Sequence, residues 1–233
     1  MDNSKESIMI IAIDGPAGAG KSTVAKRLAK RLNISYLDTG AMYRALTLKA
    51  LQNGVDLEDE DALVSLARQT DIRLEAGSDG IRVFLDGEDV SSQIRNPEVT
   101  DNTFYIARTA GVREIMVKLQ RCIGQTQSLV AEGRDIGTVV FPNASKKFYL
   151  DADLDERFRR RLNEMKEAGK EVNEATLKEE LKKRDEKDFS RKVGPLKKAE
   201  DAIFIDSTHL SIDEVVEQML QYIIGRAHRE VLL

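Results

Sequence analysis

Residues 15–23 read GPAGAGKST and directly follow an apolar run, IMIIAI, and one aspartate. The spacing fits the pattern G-x-x-x-x-G-K-[ST]. Glycines let successive backbone N–H groups point into one concavity, and a helix that follows adds its positive N-terminal end. Lys21 can reach the outer phosphates of a nucleotide, and the Ser22 hydroxyl can ligate Mg²⁺. The stretch therefore predicts a phosphate-binding loop (P-loop) that holds a nucleoside triphosphate.

The flanking sequence favours this interpretation over a chance glycine-rich turn. An apolar strand is predicted before the loop, and TVAKRLAKRL after it has helical periodicity. We expect Ser22 to be the protein ligand of Mg²⁺, together with phosphates and water. The residues expected to bind ATP are Gly15, Pro16, Ala17, Gly18, Ala19, Gly20, Lys21, Ser22 and Thr23.

Length and composition indicate one α/β domain of ordinary globular character. The chain has 233 residues, of which 41% are hydrophobic and 33% are charged. The longest apolar run is about six residues, too short to span a membrane, and the polar start MDNSKES does not resemble a signal peptide. The single cysteine, Cys122, excludes an internal disulfide. We therefore expect a cytoplasmic protein that does not bind membranes.

Apolar strands alternate with helical segments along most of the chain, which favours a parallel sheet with helices on both faces. Ligands of such sheets bind at the carboxyl ends of the strands. Five strands are predicted. The first ends at Asp14, and the others cover 34–37, 128–133, 146–152 and 202–206. The predicted helices cover 22–32, 41–53, 58–69, 97–109, 111–125, 154–168, 174–192 and 211–224.

The hydrophobic period changes between residues 72 and 95. IRLEA, GIRVFLDG and EDVSS are typical of short antiparallel strands, with turns predicted at 77–80 and 86–89. The sequence therefore predicts a small β insert within the α/β domain.

Charged residues follow two of the predicted strands. LDTGAMYR places Asp38 and Thr39 before a glycine and Arg44 on the next helix, and an arginine fork suits a phosphate monoester. EGRDIGTVVFP places the carboxylate of Glu132 near the P-loop and then Arg134 and Asp135 on a turn. A surface salt bridge for Arg44 and a structural Arg134–Asp135 ion pair remain open alternatives.

A third cluster of charges is predicted on two helices. The net charge is −4 overall, but residues 157–198 carry 15 Lys and Arg against 9 Asp and Glu, a local charge of +6. One predicted helix carries Arg157, Arg160 and Arg161; the other carries Arg184, Asp188 and Arg191 on one face. An ordinary charged helical hairpin is the alternative to a phosphate clamp.

The ordered set GPAGAGKST, YLDTGAMYR, VAEGRDIGTVVFP, KRDEKDFSR, GPLKKAEDA and IDSTHLSIDEVV resembles the bacterial cytidylate kinases, from about Met9 to Ile224. The resemblance implies the nucleoside monophosphate kinase fold, with the β insert in the segment that binds the monophosphate. It implies a single domain over 1–233: a core of 8–37, 111–152 and 199–233, a monophosphate-binding segment of 38–110 and a lid of 153–198.

The resemblance also implies an activity and residue roles. It implies transfer of the γ-phosphoryl group of ATP to CMP or dCMP. Arg44, Arg134 and Arg191 would hold the acceptor phosphate, and Arg113 with Asp135 would recognise cytosine. The remaining implied roles are ribose contact by Arg184 and Asp188, ATP phosphate contact by Arg157 and Arg161, and an adenine position near 206–208. Together with Lys21, the implied catalytic residues are Arg134, Arg157, Arg161 and Arg191, and Asp38 and Thr39 belong to the CMP site.

One position departs from the family pattern. Phe104 stands where the family usually has a small hydroxyl residue, so that contact is missing or is supplied by Thr103 or Tyr105.

Other functions are less consistent with the sequence. A regulatory GTPase would need N-K-x-D and D-x-x-G motifs, which are missing. The net charge of −4 argues against a nucleic-acid-binding ATPase. A kinase acting on UMP or a small metabolite is the nearest alternative, although an alcohol acceptor would not require the phosphate-binding arginines. We expect a monomer whose partners are nucleotides. The preference among CMP, dCMP and UMP does not follow from the sequence.

Overall fold

The computed structural model describes residues 8–77, 80–167, 169 and 172–225. Its main sheet consists of five parallel strands, β1 (Ile10–Asp14), β2 (Ser35–Asp38), β6 (Leu129–Gly133), β7 (Lys146–Asp151) and β8 (Ile203–Asp206). Their order across the sheet is β2-β6-β1-β7-β8. The predicted parallel sheet is confirmed.

The helices of the described residues agree with the predicted ones to within a few residues, except at one end. They are α1 (Lys21–Leu32), α2 (Thr39–Gln52), α3 (Glu60–Arg68), α4 (Pro97–Arg108), α5 (Ala110–Gly124), α6 (Leu154–Glu167), α7 (Glu174–Phe189) and α8 (Ile212–Ile224). None of these helices is long and apolar enough to cross a membrane.

Strand residues alternate between two hydrophobic cores, one on each face of the sheet. Ile11 and Ile13 pack into the core that contains residues of α1 and α8, whereas Ala12 faces the core that contains residues of α2, α4 and α5. Because successive side chains of a strand point to opposite faces, this arrangement requires apolar residues throughout β1. The helices therefore cover both faces and leave the carboxyl ends of the strands for a ligand.

The β insert forms a separate antiparallel sheet of β3 (Ile72–Gly77), β4 (Gly80–Leu85) and β5 (Glu88–Asp89). Asp86 and Gly87 join β4 to β5 with φ of 49° and 92°, which is typical of a two-residue type I′ hairpin turn. The other predicted turn, at 77–80, includes residues 78 and 79, which lie outside the described residues. The insert is thus confirmed in type.

Three local features differ from the prediction. Helix α7 ends at Phe189, with Ser190 as its C-cap, and not at residue 192. A 3₁₀ turn at Gln93–Arg95 and a π-helical turn at Ile136–Val140 were not predicted. Arg191 therefore lies beyond the end of α7, and the prediction that it shares a helical face with Arg184 and Asp188 is wrong.

Candidate active site

The P-loop packs closely against its neighbours at two of its glycines. A Cβ at Gly15 would overlap the carbonyl oxygen of Leu150 on β7. Gly18 has φ of 77°, and a Cβ there would lie 3.1 Å from the Cβ of Arg157. The glycines therefore serve close backbone approach as well as the turn itself.

Lys21 is buried in the first turn of α1, where its Nζ donates a hydrogen bond to the carbonyl oxygen of Pro16 at 2.6 Å. Burial, and next the nearby Arg134, lowers the pKa of Lys21 to about 7, while Glu132 raises it. An anion beside this ammonium would stabilise its charged form. The loop therefore presents a cation suited to phosphate oxygens.

A hydroxyl and a carboxylate meet at the start of α1. Ser22 Oγ donates to Glu132 Oε1 at 2.5 Å, and the Tyr36 hydroxyl donates to the same oxygen at 3.2 Å. Such oxygen ligands suit Mg²⁺. Within the described ranges, no group of three or more His, Cys, Asp or Glu could hold a metal. These side chains therefore fit a Mg²⁺ bound largely through phosphate oxygens and water.

A cavity of about 420 Å³ extends from the P-loop along the ends of β2 and β6 towards α4 and α7. Nine lysine and arginine side chains line it against five carboxylates, so it suits a polyanion. The predicted residues that line it are Ala17, Gly18, Gly20, Lys21, Ser22, Thr23, Asp38, Thr39, Arg44, Arg113, Arg134, Asp135, Arg161, Arg184, Asp188 and Arg191. The predicted Gly15, Pro16, Ala19 and Arg157 do not line it.

Two carboxylates hold three of the cavity's arginines. Asp38 caps α2 by accepting from the Ala41 N–H at 2.8 Å and pairs with Arg44 at 3.0 Å. Asp188 accepts from Arg134 Nε at 2.7 Å and lies 3.3 Å from Arg191 Nη2. These pairs orient the guanidinium groups before any ligand binds.

The protonation state of Asp188 follows from its partners. Burial acts to raise the pKa of Asp188, but Arg134 and Arg191 outweigh it, and the pKa is lowered overall. Asp188 is therefore a carboxylate at neutral pH and can anchor both arginines.

Arg184 is held differently from the other arginines of the cavity. Among the described residues, no hydrogen bond or ion pair joins it to a partner. Burial, and next Arg134, lowers the pKa of Arg184 to about 10, which is still far above neutrality. A charged guanidinium without a partner in a cavity is stabilised when an anionic ligand, or a hydroxyl group of that ligand, binds beside it.

Arg113 and Asp135 form a buried ion pair in the wall of the cavity. The Arg113 side chain is 2% exposed, and its Nη1 also lies 3.4 Å from the Ala107 carbonyl oxygen. Gly194, in the segment after α7, has φ of 60°, and any Cβ there would overlap this pair. The pair therefore offers fixed donor and acceptor groups beneath a close-fitting backbone.

Arg157 points away from the cavity and towards the backbone. Its Nη1 donates to the Ala17 carbonyl oxygen at 3.1 Å and to Asp185 Oδ2 at 2.5 Å, and its Nε donates to Ala152 at 3.0 Å. Arg161 lines the cavity and pairs with Glu164 at 3.1 Å. Arg157 thus ties α6 and α7 to the P-loop in this structure.

The departure at position 104 is explained by the direction of α4. Phe104 packs its ring beside Tyr105, Arg108 and Lys187, whereas Thr103 lines the cavity. The Thr103 hydroxyl donates to the Val99 carbonyl oxygen at 2.7 Å, one turn earlier. Of the two alternatives considered from the sequence, Thr103 lines the cavity and Tyr105 does not.

Several residues of the cavity were missed by sequence reasoning. Tyr43 and Ala107 contact Arg113, Thr100 lies on α4, and Glu164 and Leu181 come from α6 and α7. Lys26 and Arg95 also line the cavity. Thr100 and Thr103, three residues apart on one helix face, carried the available signal.

Known proteins resemble this chain over most of its length. A profile of the cytidylate kinase family matches residues 11–224. The cytidylate kinase of Caldanaerobacter subterraneus subsp. tengcongensis is 54% identical over 213 residues, covering 91% of this chain and 93% of its own. That of Bacillus subtilis is 50% identical over 216 residues, covering 93% and 96%.

A solved structure shows the same fold at low identity. The uncharacterized protein from Eubacterium ventriosum aligns with a TM-score of 0.51 and 18% identity, covering 94% of this chain and 99% of its own. This likeness concerns the fold alone. The match of the family profile to nearly the whole chain, with relatives at about half identity, establishes that the chain belongs to the cytidylate kinase family.

Proposed function

We propose that the protein transfers the γ-phosphoryl group of ATP to CMP or dCMP, giving ADP and CDP or dCDP. The observation that carries this proposal is that one cavity is lined by the P-loop, by a set of paired arginines and by the buried Arg113–Asp135 pair. The enzymatic class and the family name of its relatives agree with it.

The P-loop end of the cavity would hold ATP. The loop amides and Lys21 would bind the β- and γ-phosphates, and Ser22 with Glu132 would hold Mg²⁺ directly or through water. When bound, Mg²⁺ would neutralise charge on the β- and γ-phosphate oxygens. Arg161, at the cavity wall, is the lid arginine best placed to meet the same phosphates.

The acceptor's phosphate would bind between Arg44, Arg134 and Arg191, and its ribose near Arg184 and Asp188. All five side chains line the same cavity. The acceptor is already an anion at neutral pH, so the reaction needs no general base. The barrier comes from repulsion between two anions and from misalignment of the in-line attack, and fixed cations that also position both nucleotides reduce both costs.

The base would be recognised by Arg113, Asp135 and Thr103. Cytosine has an N4 amino donor beside the N3 and O2 acceptors, so the carboxylate of Asp135 can accept from N4, and Arg113 can donate to the ring acceptors. Uracil has O4 at the same position and would leave a buried carboxylate facing a carbonyl oxygen. This difference supports CMP over UMP as acceptor.

A substrate panel tests the proposed function. Coupled ADP-release assays would compare CMP, dCMP, UMP, AMP, GMP and shikimate as acceptors for ATP. We expect kcat/KM for CMP or dCMP to exceed that for UMP by about tenfold or more, because an unpaired buried charge costs more than ~1–3 kcal/mol. A higher kcat/KM for an alcohol acceptor or for UMP would contradict the proposal.

Ligand binding should also reduce the motion of the proposed lid, residues 153–198. The excess of Lys and Arg over Asp and Glu in this segment should be neutralised only when nucleotides fill the cavity. Closure of the lid over the nucleotides then excludes water. We expect amide hydrogen exchange in α7 to slow by about tenfold or more when CMP and an unreactive ATP analogue bind together. Core amides of α8 serve as the control. Equal exchange in α7 with and without both ligands would contradict lid closure.

A further inference from the structure

A buried carboxylate outside the predicted site holds the backbone that follows two residues of the cavity. Asp14 ends β1 immediately before the P-loop and is 3% exposed. Its Oδ1 accepts from the Ile136 N–H and its Oδ2 from the Gly137 N–H, both at 2.7 Å. These two amides open the π-helical turn that directly follows Arg134 and Asp135. Both oxygens of one carboxylate thus fix the backbone next to two cavity residues.

We propose that Asp14 is a positioning residue: it fixes Arg134 and Asp135 relative to the P-loop and so helps to place the acceptor. This inference rests on the proposed function, because it assigns those two residues to the acceptor's phosphate and base. Asp14 does not line the cavity, so it acts through the 134–137 backbone. The relative position of the two nucleotides matters because small misplacements strongly slow an in-line transfer.

The cost of keeping a carboxylate at this position supports a functional role. Burial raises the pKa of Asp14 to about 6, and the amides of Gly137 and Ile136 act in the opposite direction. Because this value exceeds the ordinary 3.8, ionising Asp14 decreases the free energy of unfolding as the pH rises from about 4 to about 6. The ionised group therefore lowers stability at neutral pH while it supplies two acceptors.

Other charged groups also face Asp14. Asp135 acts to raise its pKa and Lys21 to lower it. On β7, the Lys147 side chain lies next to Gly137, and the charge of Asp14 acts to raise the pKa of Tyr149. Lys147 is itself paired with Asp201 at 2.8 Å, so it is not a dedicated partner of Asp14. The two amides remain the direct contacts of the carboxylate.

The Asp14→Asn variant tests the inference. Its amide can accept from one N–H but must turn a donor towards the other, which displaces the turn and the adjacent Asp135. We expect the KM for CMP to rise about tenfold and the CMP/UMP ratio of kcat/KM to narrow about tenfold. Dissociation constants for ATP, measured without acceptor, should change less than about threefold because the P-loop amides are untouched.

A matched variant separates positioning from general damage. Asp151 ends the neighbouring strand β7, and its Oδ1 accepts from the Ala152 N–H at 2.8 Å and lies 3.8 Å from Arg157 Nε, so its side chain contacts no residue proposed to hold the acceptor. Asp151→Asn should therefore leave the CMP/UMP ratio unchanged. Equal losses in ATP affinity and in kcat/KM for both acceptors in Asp14→Asn would indicate a merely structural role and overturn the inference, as would a normal KM and ratio.

A measurement on the wild-type protein is independent of whether the variant folds. The amide proton shifts of Ile136 and Gly137 should titrate together near pH 6. The CMP/UMP affinity ratio should decrease as the pH falls, with the same midpoint. Titration of the acceptor phosphate does not affect this ratio, because both ligands carry the same phosphate. A ratio that stays constant while these amides titrate would overturn the inference. If the wild-type protein does not prefer CMP at any pH, the proposed function fails instead.

Discussion

Replacement of Lys21 by Met should lower the rate of phosphoryl transfer by about 100-fold or more, since preorganised charges of this kind contribute ~3–4 kcal/mol in the transition state. Lys21 is buried at the start of α1, next to the P-loop amides, and its ammonium would meet the phosphates whose charge is redistributed during transfer. The measurement is single-turnover transfer from ATP to CMP, which separates the chemical step from product release.

The fold should survive this substitution. Burial lowers the pKa of Lys21, so the folded state already disfavours its charged form, and Met has a similar length and fills the same space. Lys30→Met, at an exposed position later in α1, is the matched control and should retain normal activity. Near-normal transfer by Lys21→Met, at unchanged thermal stability, would refute the assignment of the P-loop to catalysis.

Replacement of Asp135 by Asn should narrow or invert the preference for CMP over UMP. The Asn amide can donate to uracil O4, where the carboxylate cannot, and it loses the charged acceptor for cytosine N4. We expect kcat/KM for CMP to fall and the CMP/UMP ratio to change by about tenfold or more, as expected for buried hydrogen-bond mismatches. The measurement is kcat/KM for both acceptors on both proteins.

Stability needs separate attention in this variant. Arg113 is 2% exposed and paired with Asp135, and breaking a buried pair commonly destabilises a protein by ~3–5 kcal/mol. Such damage would lower kcat/KM for both acceptors to the same extent, so the ratio is the informative quantity. Asp101→Asn, at an exposed position on α4, controls for the same chemical change outside the cavity. An unchanged ratio in Asp135→Asn would mean that this residue does not read the base.

Much of the fold was predictable from short-range patterns. The P-loop depends on glycine spacing and on the elements beside it, and the alternation of apolar strands with helices predicted the parallel sheet. Because the carboxyl ends of parallel strands meet at one edge, the sequence also predicted that Asp38 and Arg134 would share a cavity, and both line it. The division into core, monophosphate-binding segment and lid stays a prediction.

The helix ends and side-chain directions were less predictable. The periodic charge pattern after residue 174 continued past the true end of α7 at Phe189, so it did not show that Arg191 enters the cavity from a loop. Arg157 has the sequence context of a phosphate-binding arginine but is engaged by Ala17 and Asp185. Local pattern gives the face of a helix, whereas the partner of a long side chain depends on which elements pack beside it.

The sequence by itself determined the phosphate-binding loop, the α/β class and the residue types available at the strand ends, because these depend on backbone propensity and hydrophobic period. Only the tertiary structure decided which of those residues meet. Asp14 binds amides 122 and 123 positions away, and Glu132 accepts from Ser22 across 110 positions. Contacts of that separation arise from the strand order and register of the sheet, which no local pattern encodes.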